Sequence, residues 1–173
     1  MRRVLVAVSG LLLSEFLHRV LSQLDWADAA LYLLHVVDTR PLGEFGLAAG
    51  SLPARAGRAA ARLREMGALG AEAGQRMLGE AETTATPRLP AGAAIRRMQH
   101  TGVPEQEIIA AAYEIGADLI VLGAAEDPAE PPPPAGPHGP PRFPQRQLSP
   151  TVRYVVDHAP CDVLLLYAGP RKE

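Results

Sequence analysis

The sequence predicts an α/β fold: an open, doubly wound five-stranded parallel sheet with helices on both faces. Three observations predict it. Short apolar runs recur at Val4–Val8, Ala30–Val37, Leu119–Leu122 and Val163–Tyr167, each bounded by turn or helix signals. Apolar–polar alternation within them is weak, which marks strands covered on both faces. Helical stretches separate the runs, and such alternation implies right-handed crossovers in one parallel sheet.

Each element has its own signals. Arg2 and Arg3 before an apolar run through Leu13 resemble the start of a secretory signal. No small-x-small cleavage site follows, and Ser14-Glu15-Phe16 opens an amphipathic pattern, so Val4–Val8 reads as a buried strand. Ser14–Leu24 places Phe16, Leu17, Val20, Leu21 and Leu24 on one helical stripe, with Ser14 as N-cap. Pro53–Glu82 reads as a long helix with a break near Gly67–Gly70. Ile95–His100 carries Arg96, Arg97 and Gln99, which suits an edge strand. Pro104–Ile115 has proline in its first turn, Glu105 and Glu107 at the positive end of its dipole, and Gly116 as a stop. Ser149–Asp157 is a short last helix. Glu126–Gln147 holds nine prolines and fits neither helix nor central strand. It reads as an extended or disordered insertion of polyproline character at the edge where ligands bind.

Composition narrows the function classes. The 173 residues suit one domain, 1–173, with the proline-rich insertion at 126–147. A formal charge of −2 gives no general attraction to nucleic acid or to an anionic membrane. Cys161 is the only cysteine, which excludes an intrachain disulfide and a thiolate metal cluster. No apolar run approaches the roughly 18–20 residues that span a bilayer, so the expected compartment is the cytoplasm. No Ser-His-Asp order, paired-carboxylate motif or P-loop lysine motif supports an enzyme. Ligands of doubly wound sheets bind beyond the carboxyl ends of the strands at the switch point, here just after Val8 and Leu122.

Three motifs carry a resemblance. They are Leu33-Leu34-His35-Val36-Val37-Asp38; Gly102-Val103-Pro104 through Ile108-Ile109 to Gly116-Ala117-Asp118-Leu119-Ile120-Val121-Leu122-Gly123; and His158-Ala159-Pro160-Cys161-Asp162-Val163-Leu164-Leu165-Leu166. In order and spacing this set resembles the universal stress protein family, over nearly the whole chain except the proline stretch. The resemblance implies a Rossmann-like fold of the adenine nucleotide alpha hydrolase kind. It also implies a homodimer through the last strand, Val163 to Tyr167, whose open apolar edge is a template for its own copy.

The family's ATP-binding branch has an Asp ending the first strand. It also has Gly-x-x-Gly, nine residues, then Gly and Ser or Thr ahead of the last helix. Carried over, the candidate cofactor positions are Ser9 and Gly10, Val36 and Val37 beside adenine, Leu122 and Gly123, Gly136 and Gly139, and Ser149, Thr151 and Val152. The chain departs from that pattern. Ser9 offers no charge where the Asp is expected, and Leu11-Leu12-Leu13 replaces a polar turn. Ala125 and Glu126 follow Gly123 and Ala124, so the second glycine is missing and negative charge follows. Ser149-Pro150 stands for Gly-Ser/Thr; Pro150 has no N–H, and the Ser149 hydroxyl accepts from Thr151 or Val152. Gly136-Pro137-His138-Gly139 does restore Gly-x-x-Gly, with nine residues between Gly139 and Ser149. Pro137 and Pro140 remove two of the amides such a cradle needs, and chance accounts for the spacing in so biased a segment.

The resemblance to the non-ATP branch implies a regulatory stress-response module acting through dimerisation and an unknown protein partner. No cofactor is then expected. The alternative is an adenine-nucleotide sensor for ATP or AMP, with Mg, at a relaxed site. Neither reading involves nucleic acid or a membrane. Other residues have structural readings: His35 as a packed core histidine, His158 at a helix C-terminus, and Cys161 as a small buried apolar residue. His18 and His100 lack partners at metal-ligand spacing. Arg55, Arg58 and Arg62 form a solvated stripe beside Glu65, and the Pro-x-x-Pro patterns near Arg142 form a spacer.

Overall fold

The computed structural model describes residues 1–10, 13–40, 53–125 and 148–168; the side chains of 53–61, 63, 125 and 168 are also left out. Five strands, β1 (Arg2–Ala7), β2 (Ala29–Asp38), β3 (Ile95–Gly102), β4 (Leu119–Ala125) and β5 (Asp162–Ala168), form one sheet in the order β3-β2-β1-β4-β5. All neighbouring pairs are parallel. The helices are α1 (Leu13–Gln23), α2 (Pro53–Ala85), α3 (Pro104–Ile115) and α4 (Pro150–His158). This is the doubly wound α/β fold that the sequence predicts, with β3 on one edge and β5 on the other. The segment 126–147, read as an extended insertion, lies outside the described residues.

Two apolar layers sandwich the sheet, because successive residues of a strand point to opposite faces. Val4 and Val6 of β1, and Val8 just beyond it, join Leu31, Leu33 and Val121 under Phe16, Leu17 and Val20 of α1 and Leu78 and Ala81 of α2. Leu5 joins Leu34, Ile120 and Leu122 under Ile108, Ala111 and Ala112 of α3 and Val152 and Val155 of α4. Leu5, Val6, Leu33 and Ile120 are all fully buried. At roughly 1.5–3 kcal/mol for each such side chain, this double burial explains why the strands read as continuous apolar runs.

Two expectations are corrected. Ser14 lies inside the first turn of α1, which begins at Leu13, so it is not the N-cap. The long helix has no break at Gly67–Gly70; α2 runs unbroken from Pro53 to Ala85. Its glycines allow close approach instead. A Cβ at Gly70 would lie 3.1 Å from Val37 Cγ1, and one at Gly74 would lie 2.4 Å from His35 Cδ2. Bare helix backbone therefore rests directly on β2, and this contact outweighs the weak helix propensity of glycine. Gln99 closes the seam by donating from Nε2 to the Ala71 carbonyl at 3.0 Å, and it accepts from Gln75.

The last two helices begin and end as the sequence predicts, to within one residue. α3 stops at Gly116, whose φ of 59° is the left-handed conformation that glycine adopts without strain. Arg3 donates to the Ile115 carbonyl at 2.8 Å and so satisfies the same helix end. α4 starts after Ser149, whose Oγ accepts from the Val152 N–H at 3.3 Å.

Candidate functional site

The carboxyl ends of β1 and β4 lie side by side, since Ala7 pairs with Leu122, while Ala7 also pairs with Leu34 of β2. This is the switch point. From it β2 and β3 extend one way and β4 and β5 the other. Val8 is still buried and donates its N–H to the Leu34 carbonyl at 2.8 Å. Ser9 and Gly10 then emerge into solvent, and so does Gly123 on the neighbouring strand. Phe16 of α1 lies under this rim, 3.6 Å from where a Gly123 Cβ would stand. Leu122 is buried in the α3–α4 layer.

The other predicted positions divide by role. Val36 turns toward the α3–α4 layer, and Val37 is buried against Gly70 of α2. Both therefore give the end of β2 an apolar flank. Ser149, Thr151 and Val152 all fall at the start of α4, but each is engaged within the chain. Ser149 caps Val152, the Val152 side chain is in the core, and Thr151 Oγ1 donates to Glu105 Oε2 at 3.0 Å. Pro150 contributes no donor. Gly136 and Gly139 lie outside the described residues, and so does Glu126 with the negative charge that follows Gly123.

A polar network that the sequence did not reveal spans this end of the sheet. Asp38, the last residue of β2, holds Arg40 through both carboxylate oxygens; Nη2 donates to Oδ2 at 2.7 Å and Nε to Oδ1 at 3.0 Å. Arg40 Nη1 donates to Glu105 Oε2 at 3.3 Å, the oxygen that also accepts from Thr151. Hydrogen bonding by the guanidinium holds the Asp38 carboxyl below its ordinary range, and the same pair raises Arg40. One guanidinium against two carboxylates leaves the network net negative. A phosphate approaching the first turn of α4 would thus meet a carboxylate already in place.

A second unforeseen cluster lies on the outer side of α3. His100 of β3 sits between Glu107, 3.0 Å from Nδ1, and Glu114, 3.6 Å from Nε2. Its partners lie seven and fourteen positions along the chain, a spacing read only for metal ligands in the sequence. Among the described residues no group of His, Cys, Asp and Glu is arranged to hold a metal ion. His35 is packed as predicted, with Nδ1 3.2 Å from the Val8 carbonyl. His158 closes α4, stacked on Tyr154 at 4.0 Å between centroids. Cys161 is partly buried, and burial raises its thiol pKa, which suits a structural residue. Among the described residues no helix is long and apolar enough to cross a membrane.

The sheet order and register define a doubly wound α/β protein whose switch point lies between β1 and β4, where proteins of this architecture bind their ligands. The universal stress protein family model matches residues 1–166. Solved structures agree. The hypothetical protein MJ0577 is 16% identical with a TM-score of 0.68, covering 97% of this chain and 96% of that one. Universal stress protein UspA from Lactobacillus plantarum is 25% identical at TM-score 0.56, covering 95% and 97%. A universal stress protein family protein from Arabidopsis thaliana, solved with AMP bound, is 16% identical at TM-score 0.57, covering 99% and 95%. A comparison with curated protein sequences finds no significant match. The chain belongs to the universal stress protein family, as its three sequence motifs imply.

Proposed function

We propose that this chain is a non-enzymatic stress-response regulator that acts through dimerisation and protein contacts, with weak or no ATP binding. The observation that carries the reading is the occupied start of α4. Thr151 donates to Glu105, the Val152 N–H is taken by Ser149, and Pro150 has no N–H to offer. A nucleotide triphosphate needs several free donors at that point, and the net negative network of Asp38, Arg40 and Glu105 opposes it further. Ser9 supplies no carboxylate for a ribose. The dimer would form along β5, an edge strand with the apolar run Val163–Tyr167. Arg19 of α1 donates to the Tyr167 carbonyl, so any partner strand must pair beside that group or displace Arg19.

A second reading is a relaxed sensor for AMP rather than ATP. It is favoured by the AMP-bound Arabidopsis relative and by the apolar flank that Val36 and Val37 keep at the end of β2. A monophosphate would need fewer of the missing donors. Calorimetry with Mg-ATP and with AMP separates the readings. The regulator shows no saturable heat at millimolar nucleotide, the relaxed sensor binds AMP alone, and a low-micromolar constant for Mg-ATP overturns both.

A further inference from the structure

We propose that Glu105 is an internal anion that decides what the cleft admits. Its carboxylate holds Arg40 and Thr151, a guanidinium and a hydroxyl that could otherwise receive a phosphoryl group, and thereby keeps the site closed to phosphorylated ligands. The inference rests on the reading of a site that does not bind ATP, and it names the residue that shuts it.

The geometry is specific. A single oxygen, Glu105 Oε2, accepts from Thr151 Oγ1 at 3.0 Å and from Arg40 Nη1 at 3.3 Å, while Oε1 lies 3.4 Å from the same Arg40 nitrogen. The Glu105 side chain is only 17% exposed, while that of Arg40 is 46% exposed and reachable from solvent. Arg40 is positioned independently by Asp38, so its guanidinium stays in place when Glu105 leaves. A guanidinium and a hydroxyl recognise carboxylate and phosphate oxygens by the same hydrogen-bonding geometry. The two anions therefore compete for the same donors. The carboxylate is tethered in the first turn of α3, and this gives it the effective concentration of an intramolecular ligand. The ligand class is a terminal phosphoryl dianion, either free phosphate or the phosphate of a mononucleotide.

The test uses the full chain and calorimetry with inorganic phosphate and, separately, with AMP. Glu105→Ala removes the internal anion, and it is expected to bind at least one of them tenfold or more tighter than the unmutated protein. Glu105→Gln keeps the side-chain volume but loses the charge, and it is expected to fall between the two. Adding Arg40→Leu or Thr151→Val to Glu105→Ala is expected to abolish the gain. Equal gains for phosphate and AMP identify the phosphoryl group as the whole ligand, and a larger gain for AMP identifies a mononucleotide. The proposal is overturned if Glu105→Ala, with an unchanged circular dichroism spectrum, gains nothing. It is equally overturned if the gain survives loss of both Arg40 and Thr151. Should the alanine variant fail to fold, the glutamine variant decides, and no gain there overturns the proposal. Tight Mg-ATP binding by the unmutated protein would instead defeat the underlying reading, so the two failures are distinct.

Discussion

A methyl group added at Gly74 of α2 would stand 2.4 Å from His35 Cδ2, 3.1 Å from its Nε2 and 3.2 Å from Gln99 Nε2. None of these is a free end. The His35 ring is fixed by Nδ1 at the Val8 carbonyl, and Gln99 is fixed by the Ala71 carbonyl and by Gln75. Gly74→Ala must therefore push the helix off β2 or break one of these contacts, a strain of roughly 1–3 kcal/mol. Helix propensity returns only about 0.5–1 kcal/mol. The net expectation is a loss of about 0.5–2 kcal/mol, or roughly 1–8 °C in Tm for a chain of this size. Gly67, two turns earlier in the same helix, has nothing within 4 Å of an added Cβ. Gly67→Ala should stabilise by up to about 1 kcal/mol, because only propensity acts there. Urea unfolding followed by the fluorescence of Trp26, the single tryptophan, measures both variants. Opposite signs are predicted. If Gly74→Ala were as stabilising as Gly67→Ala, the close approach of α2 to β2 would be wrong.

Further outcomes follow from the same structure. Ser149→Ala removes the α4 cap and should cost about 1 kcal/mol in chemical unfolding, with little change in helix content. Asp38 has its pKa lowered by Arg40, so its contribution is present above the ordinary value of 3.8 and is lost as pH falls below it. Asp38→Asn should therefore destabilise by less than about 1 kcal/mol at pH 7, as suits a half-exposed pair, and the gap from the unmutated protein should close in acid. Light scattering should give a dimer. Leu165→Lys should shift it to monomer, with Tm followed in parallel because Leu165 also packs against the α3–α4 layer. A dimer indifferent to that substitution places the interface away from β5.

The sequence exposed what is periodic and local. The strands were legible because the two covered faces leave near-continuous apolar runs, and α3 because Pro104 and Gly116 punctuate both of its ends. Ser149 as a cap was legible because Ser-Pro is a local signal that needs no tertiary partner. The glycines of α2 were misread as a break, since a helix notch and a helix stop use the same residue. Only the position of β2 separates the two. Ser14 lies inside the first turn of α1 and not before it, a difference that local capping rules do not resolve when apolar residues precede the helix. The network at the cleft was not legible at all. Glu105 carries a sufficient local reason, the dipole of α3, which masked its reach to Arg40 and Thr151, 65 and 46 residues away. The pairing of His100 with Glu107 and Glu114 likewise depends on how α3 lies beside β3.

The most direct test of the account is native mass spectrometry of the protein purified without added nucleotide. The chain has a mass of 18.4 kDa. A species of twice that mass with no bound nucleotide is predicted, because β5 is an edge strand with an apolar run and the first turn of α4 is already occupied by Glu105 and Ser149. An adenine nucleotide retained at one per chain would contradict the central claim that this cleft is closed.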